Sequence, residues 1–431
     1  MSLRIFTGKH DRSSAAPRVG LFGLLGSGNI GNDGSLEAML GYLSAAHPDA
    51  VLDLMCRGPK RIRSAYGLEA IQLVWSANYA DRAPGVTAGM LKALGKVIDV
   101  FRTASWVRRH DVVIVPGTGI LEDTLPLRPW QTPYELFLVC AFARLFRTKV
   151  ALVSVGASAS RKWLTRHLFT SAARFAFYRS YRDTQSRDAM QRGRLRSMQD
   201  PVYPDLAFSL PAPAGDPGTT ATVGVGLMNY RGATGDRRRA DELHASYVAK
   251  MKYFVRWLID SGRTVRLFSG DDADDLVIQE IVADLRASRP HLQSARVIAE
   301  PISSLSDLLR QIAAVDTVVA TRFHNVLCAL KLAKPTLSIG YAAKNTALMA
   351  EMGLSGFCQY ARSLDVEMLI EQFTELESRS AELRPMLRDQ SAAYAQRLDH
   401  QFAVLSALLF PASQPTRDSS TAAQPVPNPS T

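Results

Sequence analysis

The sequence predicts an α/β protein made of two doubly wound domains facing a cleft, with long helices near its C-terminal end. Three observations predict it. Short apolar runs alternate with helical patterns, as in parallel sheets covered on both faces. The stretch Pro211-Ala212-Pro213-Ala214-Gly215-Asp216-Pro217-Gly218 has linker composition, and the alternation restarts after it. The 431 residues exceed one ordinary core and suit two domains.

In the first half, Arg18 to Gly23 reads as a strand, followed by a glycine-rich loop and a helix over about 35–46. Further strands fall at 50–55, 111–115 and 149–154, with helices around 89–107, 132–146 and 161–174. Phe175 to Tyr181 is strand-like and leads into Arg182. In the second half, strands are expected at 222–227, 264–268, 296–298, 316–320 and 336–339. Helices fall between them at 241–261, 273–287, 304–314 and 324–333. Over 363–409 the pattern is helical, and Tyr394, Leu398, Phe402, Leu405 and Leu409 form a core-facing seam. The expected division is a disordered arm (1–17), a first Rossmann-like domain (18–210), a linker (211–221) and a second Rossmann-like domain (222–362). Helices packing back (363–410) and a disordered Pro/Ser/Thr-rich tail (411–431) complete it. Two such domains around a cleft make a GT-B-like architecture, with ligands at the C-terminal ends of the strands.

Composition narrows the function. Hydrophobic residues are 47% and charged residues 21%, as in soluble globular proteins. No apolar run approaches the length of a spanning helix, and residues 1–18 lack a signal-like apolar core. Cys56, Cys140, Cys328 and Cys358 lie far apart, which suits reduced core thiols in a cytoplasmic protein. The net charge of +11 suits an anionic partner: phosphates, acidic sugars or a lipid surface. Ten Lys/Arg face two Asp between Arg161 and Gln199, which reads equally well as a solvated basic face. Nucleic acid is not expected, because no binding module or interleaved exposed aromatics accompany the charge. The helix around Met90–Arg109 is amphipathic and reads first as a core helix, with a membrane-surface contact as the alternative.

The most informative stretch is Thr321-Arg322-Phe323-His324-Asn325, between an apolar strand and an apolar helix. An arginine and a histidine at a strand-to-helix turn can meet an anion and move a proton. A glycine loop, Gly23 to Gly34, follows the first strand and contains Gly28, Asn29, Gly31 and Asp33. It is neither a dinucleotide fingerprint nor a Walker loop, and it reads as an anion cradle or as a tight packing turn. After the third strand, Thr118 and Gly119 can bind an oxyanion, and Glu122 or Asp123 can accept a proton from a sugar hydroxyl or simply cap and solvate. Arg182 follows a strand, and Lys344 follows another. Their alternatives are a surface ion pair and a solvated lysine. No His/Cys/Asp/Glu cluster has metal-ligand spacing.

In order along 18–355, the motifs resemble those of the polysaccharide pyruvyltransferase family. They are the loop Gly26 to Asp33, Arg182-Asp183-Thr184-Gln185-Ser186, Asp205-Leu206-Ala207-Phe208-Ser209-Leu210, Arg322-Phe323-His324, and Tyr341 to Lys344. Two departures stand out: Asn32 separates Gly31 from Asp33, and Pro116-Gly117-Thr118-Gly119 replaces consecutive glycines. The resemblance implies a GT-B-like fold, phosphoenolpyruvate as donor, no cofactor, and a sugar or lipid-linked oligosaccharide acceptor. The product would be a pyruvate ketal of an envelope polysaccharide or its precursor. Arg322, Arg182 and Lys344 would hold the donor, with Gly28, Asn29, Gly31, Asp33, Thr118, Gly119 and Asn325 around it. Protonated His324 would be the general acid and Asp123 the second catalytic group. A cytoplasmic location with peripheral inner-membrane contact is expected. Two alternatives stay open: a GT-B glycosyltransferase or nucleotide-sugar epimerase, and a non-catalytic binder of anionic glycans or lipids.

Overall fold

The computed structural model describes residues 16–78, 85–123, 129–192, 199–213, 221–232 and 234–411. The arm expected at 1–17 therefore lies outside the described residues except for its last two. The same holds for 214–220 of the linker and for the tail beyond 411.

The first half contains β1 (Arg18–Gly23), α1 (Ile30–Ala46), β2 (Val51–Cys56), α2 (Pro59–Tyr66), β3 (Glu69–Gln72) and α3 (Gly85–Arg108). It continues with β4 (Val112–Pro116), α4 (Thr132–Phe146), β5 (Lys149–Val155), α5 (Trp163–Phe175), β6 (Tyr178–Tyr181) and α6 (Thr184–Arg192). Its six strands form one parallel sheet in the order β3-β2-β1-β4-β5-β6. Buried Val/Ile/Leu runs in β4 and β5 are what a sheet covered on both faces requires. Helices α3, α4 and α5 cover one face around Trp106, Leu136 and Phe169, while α1 covers the other around Leu36 and Met39.

The second half contains β7 (Thr222–Gly226), α7 (Ala240–Asp260), β8 (Thr264–Phe268), α8 (Asp275–Ser288), β9 (Val297–Ile298) and α9 (Leu305–Ala313). Then come β10 (Thr317–Ala320), α10 (Phe323–Lys331), β11 (Thr336–Gly340), α11 (Ala343–Glu351) and β12 (Cys358–Tyr360). These strands form a second parallel sheet in the order β12-β11-β10-β7-β8-β9. Two doubly wound sheets therefore stand as expected, with β3, α2 and β12 among the elements added to those read from the sequence.

The chain ends in α12 (Val366–Ser378) and α13 (Ser380–Leu409). Helix α13 returns to the first half. Its seam residues Tyr394, Leu398, Leu405 and Leu409 are buried. Buried Gln401 accepts from Ser154 Oγ at 3.0 Å and donates to Ser180 Oγ at 2.7 Å. Ser406 Oγ lies 2.8 Å from Tyr42 Oη and 2.9 Å from His47 Nε2. All four cysteines are free thiols. No described helix is long and apolar enough to cross a membrane.

Candidate active site

Parallel strands send their C-terminal ends to one edge of the sheet, so the turns after β1, β4, β6, β10 and β11 gather there. The two edges meet. Asn29, the N-cap of α1, accepts from the N–H groups of Gly31 and Asn32 and pairs with Asp271 beyond β8. Gly28, at φ 90°, would bring any Cβ within 2.7 Å of Asp272 Oδ2. Leu305 of α9 lies over Gly34. The glycine loop thus serves close contact between the two halves, and its backbone is partly covered.

Arg182 follows β6 and is buried. Its Nη2 bonds Glu122 Oε1, its Nη1 lies 3.6 Å from Asp205 Oδ2, and its guanidinium sits 5.1 Å from the centre of the Phe323 ring. Lys344 Nζ, from the turn after β11, sits 5.3 Å from the same ring and 3.4 Å from Glu122 Oε2. Cations from both halves therefore meet on the side chain between Arg322 and His324. Arg322 points elsewhere. Its fork grips buried Asp274, Nε to Oδ2 at 2.7 Å and Nη2 to Oδ1 at 2.6 Å. The expectation of Arg322 as an available anion grip needs correction on that point, because a carboxylate of its own chain already occupies the fork.

His324 lies against Gly31. A Cβ on Gly31 would fall 1.8 Å from His324 Nδ1, so only glycine leaves room for the ring. On its other side, His324 Nε2 is 3.9 Å from Asp205 Oδ2. Asp205 Oδ1 accepts from Ala207 N–H at 3.1 Å, which fixes the carboxylate. Burial lowers the His324 pKa to about 4; Arg182 and Lys344 push it down too, and Asp205 opposes them. The imidazole is therefore neutral near pH 7, and His324 has to gain a proton before it can act as the general acid expected from the sequence.

The turn after β4 carries the remaining surprise. Asp123 faces away from the cations: its Oδ2 accepts from Ser160 Oγ at 2.6 Å and its Oδ1 from Lys162 Nζ at 3.0 Å. Glu122 is the carboxylate on Arg182 and Lys344. Gly119 makes room for it, since a Cβ there would meet Glu122 Cδ at 2.7 Å. Thr118 is buried at φ 61°, and its hydroxyl has no hydrogen-bond partner among the described residues. Asn325 is fully buried against Gly226 and Gly270. Asp33 accepts from Gly26 N–H at 2.6 Å and closes the glycine loop; burial raises its pKa. Among the described residues no His/Cys/Asp/Glu group is placed to hold a metal ion.

Glu122, Asp183, Asp205 and Asp274 are thus the acids that contact the expected cations. Asp205 had a signal, the Asp-x-Ala-Phe element after β6. Asp274, within the run Asp271 to Asp275, had none, because a surface acidic run and a buried ion-pair partner look alike in sequence. The cavity lined by Arg182, Asp205, Phe323 and Lys344 is about 20 Å³, room for one water.

Chains of the same fold are known. A UDP-GlcNAc 2-epimerase from Methanocaldococcus jannaschii superposes with TM-score 0.55 at 10% identity, over 83% of this chain and 92% of its own. A UDP-N-acetylglucosamine 2-epimerase reaches 0.57 at 12% identity, over 93% and 98%. A lipopolysaccharide outer core galactosyltransferase reaches 0.52 at 12% identity, over 90% and 99%. At such identities the likeness establishes the GT-B-like fold alone. No curated protein sequence matches the chain. The family model for polysaccharide pyruvyl transferase, in contrast, matches residues 29–342. That span runs from the α1 cap Asn29 through Arg182, Asp205 and Arg322-Phe323-His324 to the turn before Lys344, and the chain belongs to the polysaccharide pyruvyl transferase family.

Proposed function

We propose that this protein transfers the carbon skeleton of phosphoenolpyruvate to a sugar, forming a pyruvate ketal and releasing phosphate. The acceptor is a sugar of an envelope polysaccharide or its lipid-linked precursor. The enzyme works in the cytoplasm, in peripheral contact with the inner membrane face. One observation carries the reading: Arg182 and Lys344, from different halves, meet on the Phe323 ring beside His324.

Phosphoenolpyruvate presents a carboxylate and a phosphate close together, so it needs clustered cations. In this reading the donor displaces Glu122 from Arg182 and Lys344, since the cavity beside these cations has only about 20 Å³. A sugar hydroxyl oxygen adds to C2 of the enol ester. Its proton leaves to a base, for which Glu122 is the nearest carboxylate, and the C3 methylene takes a proton to become a methyl group. A second hydroxyl oxygen then attacks C2, the C2–O bond to phosphate breaks, and the ring closes as the departing phosphate carries off that hydroxyl's proton. His324 delivers the C3 proton. The dianionic donor raises its pKa, and Asp205 stabilises the imidazolium.

The test is direct. Phosphate release from phosphoenolpyruvate in the presence of acceptor glycans should fall to background in Arg182→Ala and in His324→Ala, each assayed at a temperature where circular dichroism shows it folded. Calorimetric titration of phosphoenolpyruvate against UDP-sugars separates this reading from a nucleotide-sugar enzyme. Tight UDP-sugar binding without phosphoenolpyruvate binding sinks it.

A further inference from the structure

We propose that the outer faces of α3 and α5 form a docking surface for an anionic bilayer. The proposal rests on the pyruvyltransferase reading only for what that membrane carries, a lipid-linked acceptor.

Helix α3 is apolar on the side that faces water. Met90, Leu94, Val97 and Phe101 are 69%, 53%, 56% and 71% exposed. Their spacing of four, three and four residues places them in one stripe. The opposite side is turned inward: Asp99, Thr103 and Trp106 are buried, and Trp106 packs on Gly20 and donates to Asp53 of the sheet. A helix that only covers a sheet shows the reverse pattern. Helix α4 packs between α3 and α5. On α5, Trp163 is 70% exposed, and Leu145 of α4 is 68% exposed.

Charge completes the pattern. The carboxylates within α3, α4 and α5 are Asp99 and Glu135, both buried and held by Arg102 and Lys96. The exposed charges of this layer are cations, among them Lys92, Arg144 and Arg166. At the end of the stripe lies a groove of about 510 Å³ lined by Arg18, Arg108, Arg109, Ala104, Ser105 and Phe146. The adjacent Asp111 accepts the Arg18 backbone N–H at 3.0 Å. Three guanidinium groups around such a volume suit a phospholipid headgroup.

The charges also select the occupant. A second copy on a two-fold axis would set these cations against themselves, with no exposed carboxylate among the described residues of α3, α4 and α5 to meet them. A nucleic acid would leave the apolar stripe in water. A bilayer accepts both features: apolar side chains enter the headgroup–acyl boundary, and cations meet anionic lipid.

The test is flotation of the full-length protein with phosphatidylcholine vesicles, with and without phosphatidylglycerol. Binding is expected to the phosphatidylglycerol vesicles and to weaken as salt rises. Each arginine is worth about fivefold, so Arg108→Glu with Arg109→Glu should weaken binding by about 25-fold or more. Leu94→Asp with Phe101→Asp should abolish it, with unchanged melting. Equal binding to both vesicle types overturns the proposal, as does wild-type-like binding in both variants. It is also overturned if light scattering shows a dimer that Leu94→Asp with Phe101→Asp splits, or if duplex DNA displaces the vesicles through the same residues. Phosphoenolpyruvate titration is read in parallel. Donor binding without vesicle binding removes this surface alone; vesicle binding without donor binding removes the catalytic reading alone.

Discussion

Substituting Gly31 by alanine separates the proposed chemistry from mere folding. The new Cβ would sit 1.8 Å from His324 Nδ1, 2.0 Å from Cε1 and 2.3 Å from Cγ. Ordinary contact is about 3.5 Å, so the imidazole must retreat by roughly 1.5 Å. A misplacement of about 1 Å in a reacting group costs on the order of 100-fold in rate, so phosphate release should fall by at least that factor. Stability should fall by no more than about 2 kcal/mol, so the protein stays folded in the assay. Alanine in a helix gains about 1 kcal/mol over glycine, and crowding costs roughly 1–3 kcal/mol. Gly41 is the control, in the same helix with nothing within 4 Å of its would-be Cβ. Gly41→Ala should raise stability by about 1 kcal/mol and leave turnover unchanged. The assay is initial-rate phosphate release beside denaturant unfolding of all three proteins. If Gly31→Ala keeps more than a third of wild-type kcat/KM, His324 does not act from the position described here.

Other expectations follow from the same geometry. Glu122→Gln should cut turnover while Asp123→Asn leaves it within about threefold, because only Glu122 touches Arg182 and Lys344; the reverse order in steady-state kinetics would return the role to Asp123. Arg182→Lys loses the planar fork, so KM for phosphoenolpyruvate should rise about tenfold or more, and unfolding measurements should show a loss of roughly 3 kcal/mol from the broken buried pair. His324 has a folded-state pKa near 4, below its ordinary 6.5, so the unfolded chain binds more protons between those values. Stability is then full above pH 6.5 and lost as pH falls toward 4, by up to roughly 3 kcal/mol relative to His324→Gln in chemical denaturation. An unchanged difference across that window would contradict the burial described.

The strands and the cleft were legible because a parallel sheet buried on both faces needs continuous apolar runs, and β1, β4, β5, β7 and β10 have them. Strand β3, Glu69-Ala70-Ile71-Gln72, escaped because it lies at a sheet edge and is only partly buried. The Arg-x-His turn was legible from residue type alone. What each side chain faces was not. Arg322 and Arg182 both follow strands, yet one is held by Asp274 and the other lies on Phe323, and the choice depends on partners 48 and 141 positions away in the chain. Glu122 and Asp123 are neighbours with similar chemistry. Only their partners tell them apart: Glu122 meets Arg182, and Asp123 meets Ser160 and Lys162.

The carboxylates explain how so many cations coexist in a buried turn. Arg182 and Lys344 share Glu122, Arg322 holds Asp274, and Asp205 lies near both Arg182 and His324. Unpaired, the cations would be costly to bury. The arrangement also sets the sign of the donor's effect on His324. Arg182 and Lys344 lower its pKa, so neutralising them with a carboxylate and a phosphate must raise it. Donor binding and proton uptake are then linked, and the imidazole becomes an acid when there is a methylene to protonate. Calorimetric titrations of phosphoenolpyruvate in buffers of different ionisation enthalpy read this uptake. It should reach a large fraction of one proton near pH 6 and vanish in His324→Gln. Binding with no proton uptake in the wild type would leave His324 a neutral spectator and move the acid elsewhere.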